Sequence, residues 1–341
     1  MNLSALFSPI VSKNKSVFEE IGTLPFNAYK DSVVALNNHI CLVNTYSIEN
    51  KEQSYLYRAS ILEDGSISEF TKHRKLPLPI LGASVVLSPT KNKLYLIGGA
   101  YNGNYLDSVY VADIDTDESV GEFKLIDVLP YKVSYASVLQ LHDRVYLIGG
   151  CVEVEKTRLD NGYIDIESTN KILVSVVGEN FTLGEFVEDT PLPFGVVDTT
   201  VIYATNKVYL IGGIVDDYIS DKIYVASTDK GKLTKFQIYG SFPNNISNAC
   251  VIRLPTTTLF VGGIDEDGEI DHISSISIER GKIKYIKPVG RLPVELSSAG
   301  TFFTLDTFLT ERVYLIGGLS ARSKDMRKMY VVELKDLMAL S

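Results

Sequence analysis

VYLIGG, at residues 145–150, 208–213 and 313–318, is the stretch on which the fold turns. Two close variants join it, LYLIGG at 94–99 and LFVGG at 259–263, and a degenerate sixth copy reads ICLVNT at 40–45, with Asn44 and Thr45 in place of the glycines. First glycines, with Asn44 counted as one, lie 54, 51, 63, 50 and 55 residues apart. Self-similarity at such a period signals a propeller or a repeat array. A second landmark runs through the same periods, an aromatic residue followed seven positions later by proline: Phe18 and Pro25, Phe70 and Pro77, Phe123 and Pro130, Phe186 and Pro193, Phe236 and Pro243. The sixth pair, Tyr285 and Pro293, is one residue longer, as a bulge in an outer strand would make it.

Each period reads as four short strands separated by turn signals. The VYLI runs suit a strand covered on both faces, and the glycine pair marks a place where backbones approach closely near the ring axis. After the last glycine pair only one further strand follows, at about residues 328–334, while the first aromatic and proline precede the first copy. Residues of about 16–21 are therefore expected to supply the missing outer strand and close the ring, which removes an open edge. The sequence thus predicts an all-β fold: a six-bladed β-propeller of four-stranded antiparallel blades over residues 16–341, preceded by an N-terminal arm, 1–15.

With 45% hydrophobic and 22% charged residues the chain can bury a substantial core. Its formal charge of −9 opposes nucleic acid and anionic lipid as partners. Cys41, Cys151 and Cys250 are odd in number and far apart, so free buried thiols are expected instead of a disulfide framework. The first residues, MNLSALFSPIVS, have no basic region before an apolar core and no small-residue cleavage site, and no 18-residue apolar run occurs. Synthesis in the cytosol without a signal peptide, and no membrane insertion, follow as expectations.

The glycine pairs, the third-strand tyrosines Tyr57, Tyr110, Tyr224 and Tyr330, and the fourth-strand aromatics together resemble the Kelch-repeat family over nearly the whole chain. Kelch repeats usually carry tryptophan in the fourth strand, whereas this chain has none, and Leu173 and Ser274 stand at two of the third-strand tyrosine positions. The phrasing of strand, turn, Gly-Glu-Phe and Leu-Pro is also similar to Kelch-type propellers of bacterial and phage tail proteins.

In such a blade the link from second to third strand and the link to the next blade emerge on one face, so residues after each glycine pair and each proline should surround one end of the channel. The candidate binding residues there are Tyr29, Tyr101, Asn102, Tyr131, Arg158, Asp160, Tyr163, Asp216, Tyr218, Asn244 and Arg322; Tyr105 and Tyr135 fall in the same links. Tyrosine faces beside amide and carboxylate groups suit sugar rings and protein hot spots alike, and the same residue types also make ordinary loops. The long insertion 151–170 reads either as a binding loop or as a solvated hairpin turning at Asn161 and Gly162.

No catalytic residue is singled out. His39, His73, His142 and His272 occupy unrelated repeat positions, which gives a metal site little support, and His142 reads as a loop residue. Neither a nucleophile elbow, nor a phosphate loop, nor a dinucleotide fingerprint is present, so no cofactor is expected. The acidic stretch DEDGEID, 265–271, has its glycine at the wrong position for a calcium loop and reads as a hairpin turn.

Three functions remain open. The leading one is a non-catalytic module that recognises a glycan or protein partner through one face, as a surface or virion attachment component. The resemblance implies a second, a mutarotase or epimerase acting on a sugar such as sialic acid, which would need an acid or base at the channel face. The third is a scaffold docked into a larger assembly through the apolar arm residues Leu3, Leu6, Phe7, Ile10 and Val11.

Overall fold

A computed structural model describes residues 16–24, 28, 33–43, 55–158, 164–305, 309–320 and 327–340, with backbone alone at 154–158 and 164–166. Its sheets form a six-bladed β-propeller. In blade 2, for example, Ser84–Leu87, Lys93–Ile97, Ser108–Asp113 and Lys124–Val128 run antiparallel from axis to rim. The second strands, rich in Val, Leu, Ile and Tyr, are buried along nearly their whole length, because each lies between its own neighbours and the adjoining blades. Ring closure is as the order of landmarks requires. Blade 6 consists of Gly300–Leu305, Glu311–Ile316 and Lys328–Glu333, and Glu19–Thr23 is its outermost strand.

The glycine pairs do more than let blades crowd the axis. Gly212 and Gly213 both leave the strand with left-handed backbone, φ +63° and +97°. The N–H of Gly213 donates to the carbonyl of Ile246 at 2.9 Å, and Ile246 belongs to the segment that crosses from blade 4 to blade 5. A Cβ on Gly212 would overlap that carbonyl. The same bond recurs from Gly99 to Val133, Gly150 to Val196, Gly263 to Leu296 and Gly318 to Ala28, each acceptor standing three residues after a landmark proline. Asn44 and Thr45, the degenerate pair, lie outside the described residues.

A second set of bonds ties the blades together on the opposite face. The second-strand tyrosines Tyr95, Tyr146 and Tyr314 are buried and donate through their hydroxyls to Phe181, Gly231 and Gly65, which sit in the turn between third and fourth strands of the next blade. Blade 1 has Cys41 at the tyrosine position, and the junction is rebuilt. Glu118, in the corresponding turn of blade 2 and left-handed at φ +62°, sends its carboxylate back to accept from the backbone N–H of Asn37 (2.9 Å) and Asn38 (3.0 Å) and from His39 Nδ1 (2.7 Å). Arg58 donates to the Glu118 carbonyl in place of the tyrosine hydroxyl. Burial opposes ionisation of Glu118, but the bonds from His39, Asn38 and Asn37 outweigh it and hold the carboxyl below its ordinary value.

Two details differ from the sequence expectation. Tyr285 is 40% exposed with Lys287 over its ring, while Ile286, seven residues before Pro293, packs inward against the core shared by blades 4 and 5. The inward position thus keeps the seven-residue spacing, and the additional bulge of this strand, where the register slips between Ser277 and Ile278, lies before Tyr285. After Glu333 the chain forms a short helix, α1 (Leu334–Leu340), whose Leu337 is fully buried against the core of blades 5 and 6. All three cysteines are buried and free. Among the described residues no helix is long and apolar enough to cross a membrane.

Replacing Gly212 with alanine is expected to cost roughly 3 kcal/mol, from a left-handed Cβ and the displaced Ile246 carbonyl. Alanine at Gly240, which has open space around it, should change stability by less than about 0.5 kcal/mol. Urea denaturation distinguishes them. Because the folded-state value of Glu118 is depressed, its contribution is present above the ordinary glutamate range and lost as pH falls through the folded-state value. Glu118→Gln should therefore cost about 1–3 kcal/mol at neutral pH, with the difference from the parent narrowing in acid.

Candidate functional site

The inner strands of the blades surround a central cavity of about 410 Å³. Its wall is built from small and β-branched residues, Val34, Ser84, Ser137, Thr200 and Ala249 among them, because converging strands leave room for little else. Several wall hydroxyls are committed to neighbouring blades: Ser84 donates to the Ala136 carbonyl at 3.1 Å and Ser137 to that of Thr199 at 2.8 Å.

The mouth of this cavity is set by one repeat position, five residues after each landmark proline. It holds Gly82, Tyr135, Asp198, Asn248 and Ser298, and every one is left-handed, with φ of +64°, +56°, +55°, +55° and +53°. The positions are linked around the axis, the N–H of Tyr135 donating to the Gly82 carbonyl at 2.8 Å and that of Ser298 to the Asn248 carbonyl at 2.9 Å. Glycine, asparagine and aspartate adopt this conformation readily, whereas tyrosine and serine are strained in it. Tyr135 and Asp198, neighbours in this ring, are both half-buried and both line the cavity. The sixth position, Lys30, lies outside the described residues.

Behind Tyr135 is a small cluster on the same face. The buried side chains of Tyr105 and Cys151 pack together, and the Tyr105 N–H donates to Glu153 Oε1 at 3.2 Å. Burial, then the neighbouring thiol, Tyr135 and Glu153, push the Tyr105 phenol up. Burial, reinforced by Asp198, pushes the Cys151 thiol up to about 11, so at neutral pH it is a thiol and a poor nucleophile.

Short hairpins rise around the mouth after the glycine pairs of blades 2 to 5. Tyr101 and Asn102 are in the first (Ala100–Tyr101 with Asn104–Tyr105), and Asp216 and Tyr218 are in the third (Ile214–Val215 with Tyr218–Ile219), where Tyr218 is 75% exposed. Asn244 is exposed in the link to blade 5, next to Asn245, whose amide donates to Glu266 at 2.6 Å. The acidic stretch forms the fourth hairpin, with Asp265 Oδ1 accepting from the Asp267 N–H at 2.9 Å. The blade 3 insertion is a hairpin of Cys151–Arg158 with Ile164–Ser168; the Arg158 side chain, Asp160 and Tyr163 lie outside the described residues, as do Tyr29 and Arg322. Tyr131 is placed away from the mouth, packed between blades 2 and 3 under the ammonium of Lys171, 4.5 Å from its ring.

Tyr135 was legible in the sequence, but Asp198, Asn248, Ser298 and Glu153 were not among the candidates. For the first three the signal was available as the constant offset from the prolines. Among the described residues no three His, Cys, Asp or Glu side chains gather as a metal site.

No family model matches the chain, and no curated protein matches it. Among solved structures it is similar to one described as "Structure of YjhT", with a TM-score of 0.65 and 11% identity over 91% of this chain and 95% of that one. That likeness carries the fold alone. The chain is a six-bladed propeller, and its function must be argued from the mouth itself.

If the ring position stores strain, Ser298→Gly should stabilise the protein by about 1 kcal/mol and Ser298→Val should destabilise it, since valine is poorly suited to left-handed backbone. Thermal or urea denaturation of the two variants checks this.

Proposed function

We propose that the protein is a recognition module that binds a glycan at the channel mouth. The observation that carries this reading is the ring of left-handed residues, two of which, Tyr135 and Asp198, stand on the wall of a cavity of about 410 Å³. That volume is in the range of about 300–1,000 Å³ usual for small-molecule sites. An aromatic face and a carboxylate on one cavity wall suit a sugar ring, one for stacking and one for its hydroxyls. The hairpins carrying Asn102, Asp216 and Tyr218 supply an exposed rim for further sugar units or for a protein that bears them.

The Tyr135 phenol and Asp198 carboxylate at one mouth also provide groups able to move a proton, which keeps the mutarotase reading in the same test. Ligand-observed NMR with a panel of free sugars should show saturation transfer, reduced in Tyr135→Ala, without faster exchange between anomers. Accelerated anomeric exchange would make the protein an enzyme. Absence of both signals would end the glycan reading and turn attention to a protein partner for the rim.

A further inference from the structure

We propose that the seam between blades 1 and 2 is an acid-operated latch, closed while the His73 imidazole is neutral and released when it takes up a proton. The latch begins with a bulge. In the outer strand of blade 1 (Thr71–Lys75), Arg74 pairs with Leu56 and Lys72 with Tyr57, and the pairing skips His73. A bulge re-aims the side chain of its extra residue, and this one crosses to blade 2, where His73 Nε2 accepts from the backbone N–H of Val120 at 2.9 Å. Arg74 Nε donates to the carbonyl of the same residue at 2.9 Å, so blade 1 holds both backbone groups of Val120. Val120 is itself fully buried in the core that the two blades share. Tyr239 fills the same bulge position in blade 4, skipped between Gly240 and Ile238, and its hydroxyl accepts from the Ile283 N–H of blade 5 at 2.8 Å. A phenol keeps such a bond in mild acid, whereas an imidazole does not.

The Val120 donor fixes the tautomer: Nε2 carries the lone pair and Nδ1 the proton. A second proton sets N–H against N–H and leaves the buried Val120 amide without its acceptor. Burial first, then Arg58, Arg74 and His39, push His73 below its ordinary value, against Asp117 of the blade 2 turn, which draws it up. With the folded-state value below the unfolded one, the latch contributes fully above about pH 6.5 and is lost as the pH falls from there through the folded-state value. His39, the other histidine of this seam, keeps its bond to the Glu118 carboxylate when protonated, because the bond is then charge-assisted on both sides. Glu118 itself is neutralised only in stronger acid, its carboxyl being held below the ordinary glutamate value. His73 is therefore the group that opens first. The inner strands of the same two blades, Val33–Ala35 and Ser84–Leu87, contribute to the cavity wall, so a loosened seam reaches that wall.

Amide hydrogen exchange read by NMR on the full chain tests the latch. Between about pH 7.5 and about pH 5.5, after correction for intrinsic exchange, protection of the Val120 amide should fall about tenfold, the factor that one pH unit of linked proton uptake carries. The Ile283 amide, held by Tyr239, should keep its protection over the same range. His73→Gln, whose side-chain carbonyl accepts without titrating, should abolish the fall at Val120, and His73→Tyr, which installs the group used in blade 4, should do the same if the glutamine variant does not fold. In the parent protein the nitrogen chemical shift of His73 Nε2 should mark it as unprotonated at neutral pH. Equal protection of Val120 at the two pH values, an undiminished fall in the variants, an equal loss at Ile283, or a protonated Nε2 at neutral pH would each overturn the latch.

Discussion

Everything in this ring depends on one contact: a carbonyl of each blade-crossing segment pressed against the glycine pair of the blade it leaves. The bond from Gly213 to Ile246 and its four counterparts fix how far each blade stands from the next. The crossing segment then bonds in both directions with the residue just past the glycine pair of the blade it enters, as Ser134 does with Cys151 and Val197 with Ile214. Two residues on from the pressed carbonyl the chain must turn down into the channel, and it does so in left-handed backbone at Tyr135, Asp198, Asn248 and Ser298. The site is thus a geometric by-product of the contact that assembles the ring.

The opposite face shows how a repeat tolerates losing a part. Where tyrosine hydroxyls reach the next blade's turn, the junction is held by one neutral hydrogen bond apiece at 2.7–2.8 Å. At the junction of blades 1 and 2, Cys41 is too short to reach, and two changes compensate together. Arg58 takes over the turn carbonyl, and Glu118 stands where Gly65, Gly231 and Gly281 serve other blades, accepting the left-handed strain in return for charge-assisted bonds. Tyr209 makes a third variation, turned edge-on to Tyr239, which itself accepts the Ile283 N–H at 2.8 Å. The junction of blades 5 and 6, with Phe260 at the tyrosine position, has α1 packed nearby because the chain leaves blade 6 there without a fourth strand of its own.

The mouth positions are ones that the repeat shapes without choosing their residues. Backbone conformation at the mouth is common to the blades, whereas the residues there run from glycine to tyrosine and aspartate. The strain accepted by Tyr135 and Ser298, at places where glycine would fit freely, is what a binding role would select. Several candidates chosen for composition, Asn102, Asp216, Tyr218 and Asn244, are on the mouth side as the topology requires, but at the rim. Tyr131 shows the weakness of composition as a guide: the same exposed-looking tyrosine after a proline is spent on packing and on Lys171.

The sequence by itself determined the number of blades, the order of their strands and the closing role of the N-terminal strand, because these follow from glycine pairs, aromatics and prolines counted along the chain. It also marked which face carries the variable loops. It left hidden that the glycines answer to a carbonyl from the next crossing, that Glu118 repairs the junction at Cys41, and that Asp198 and Tyr135 meet at one opening. Those pairs are separated by tens of residues, and although the glycines, carbonyls and mouth positions each recur at a fixed offset, the spacing alone does not say which meets which. Only closing the ring sets the glycines against the carbonyls and Glu118 against His39, and brings Asp198 and Tyr135 onto one cavity wall.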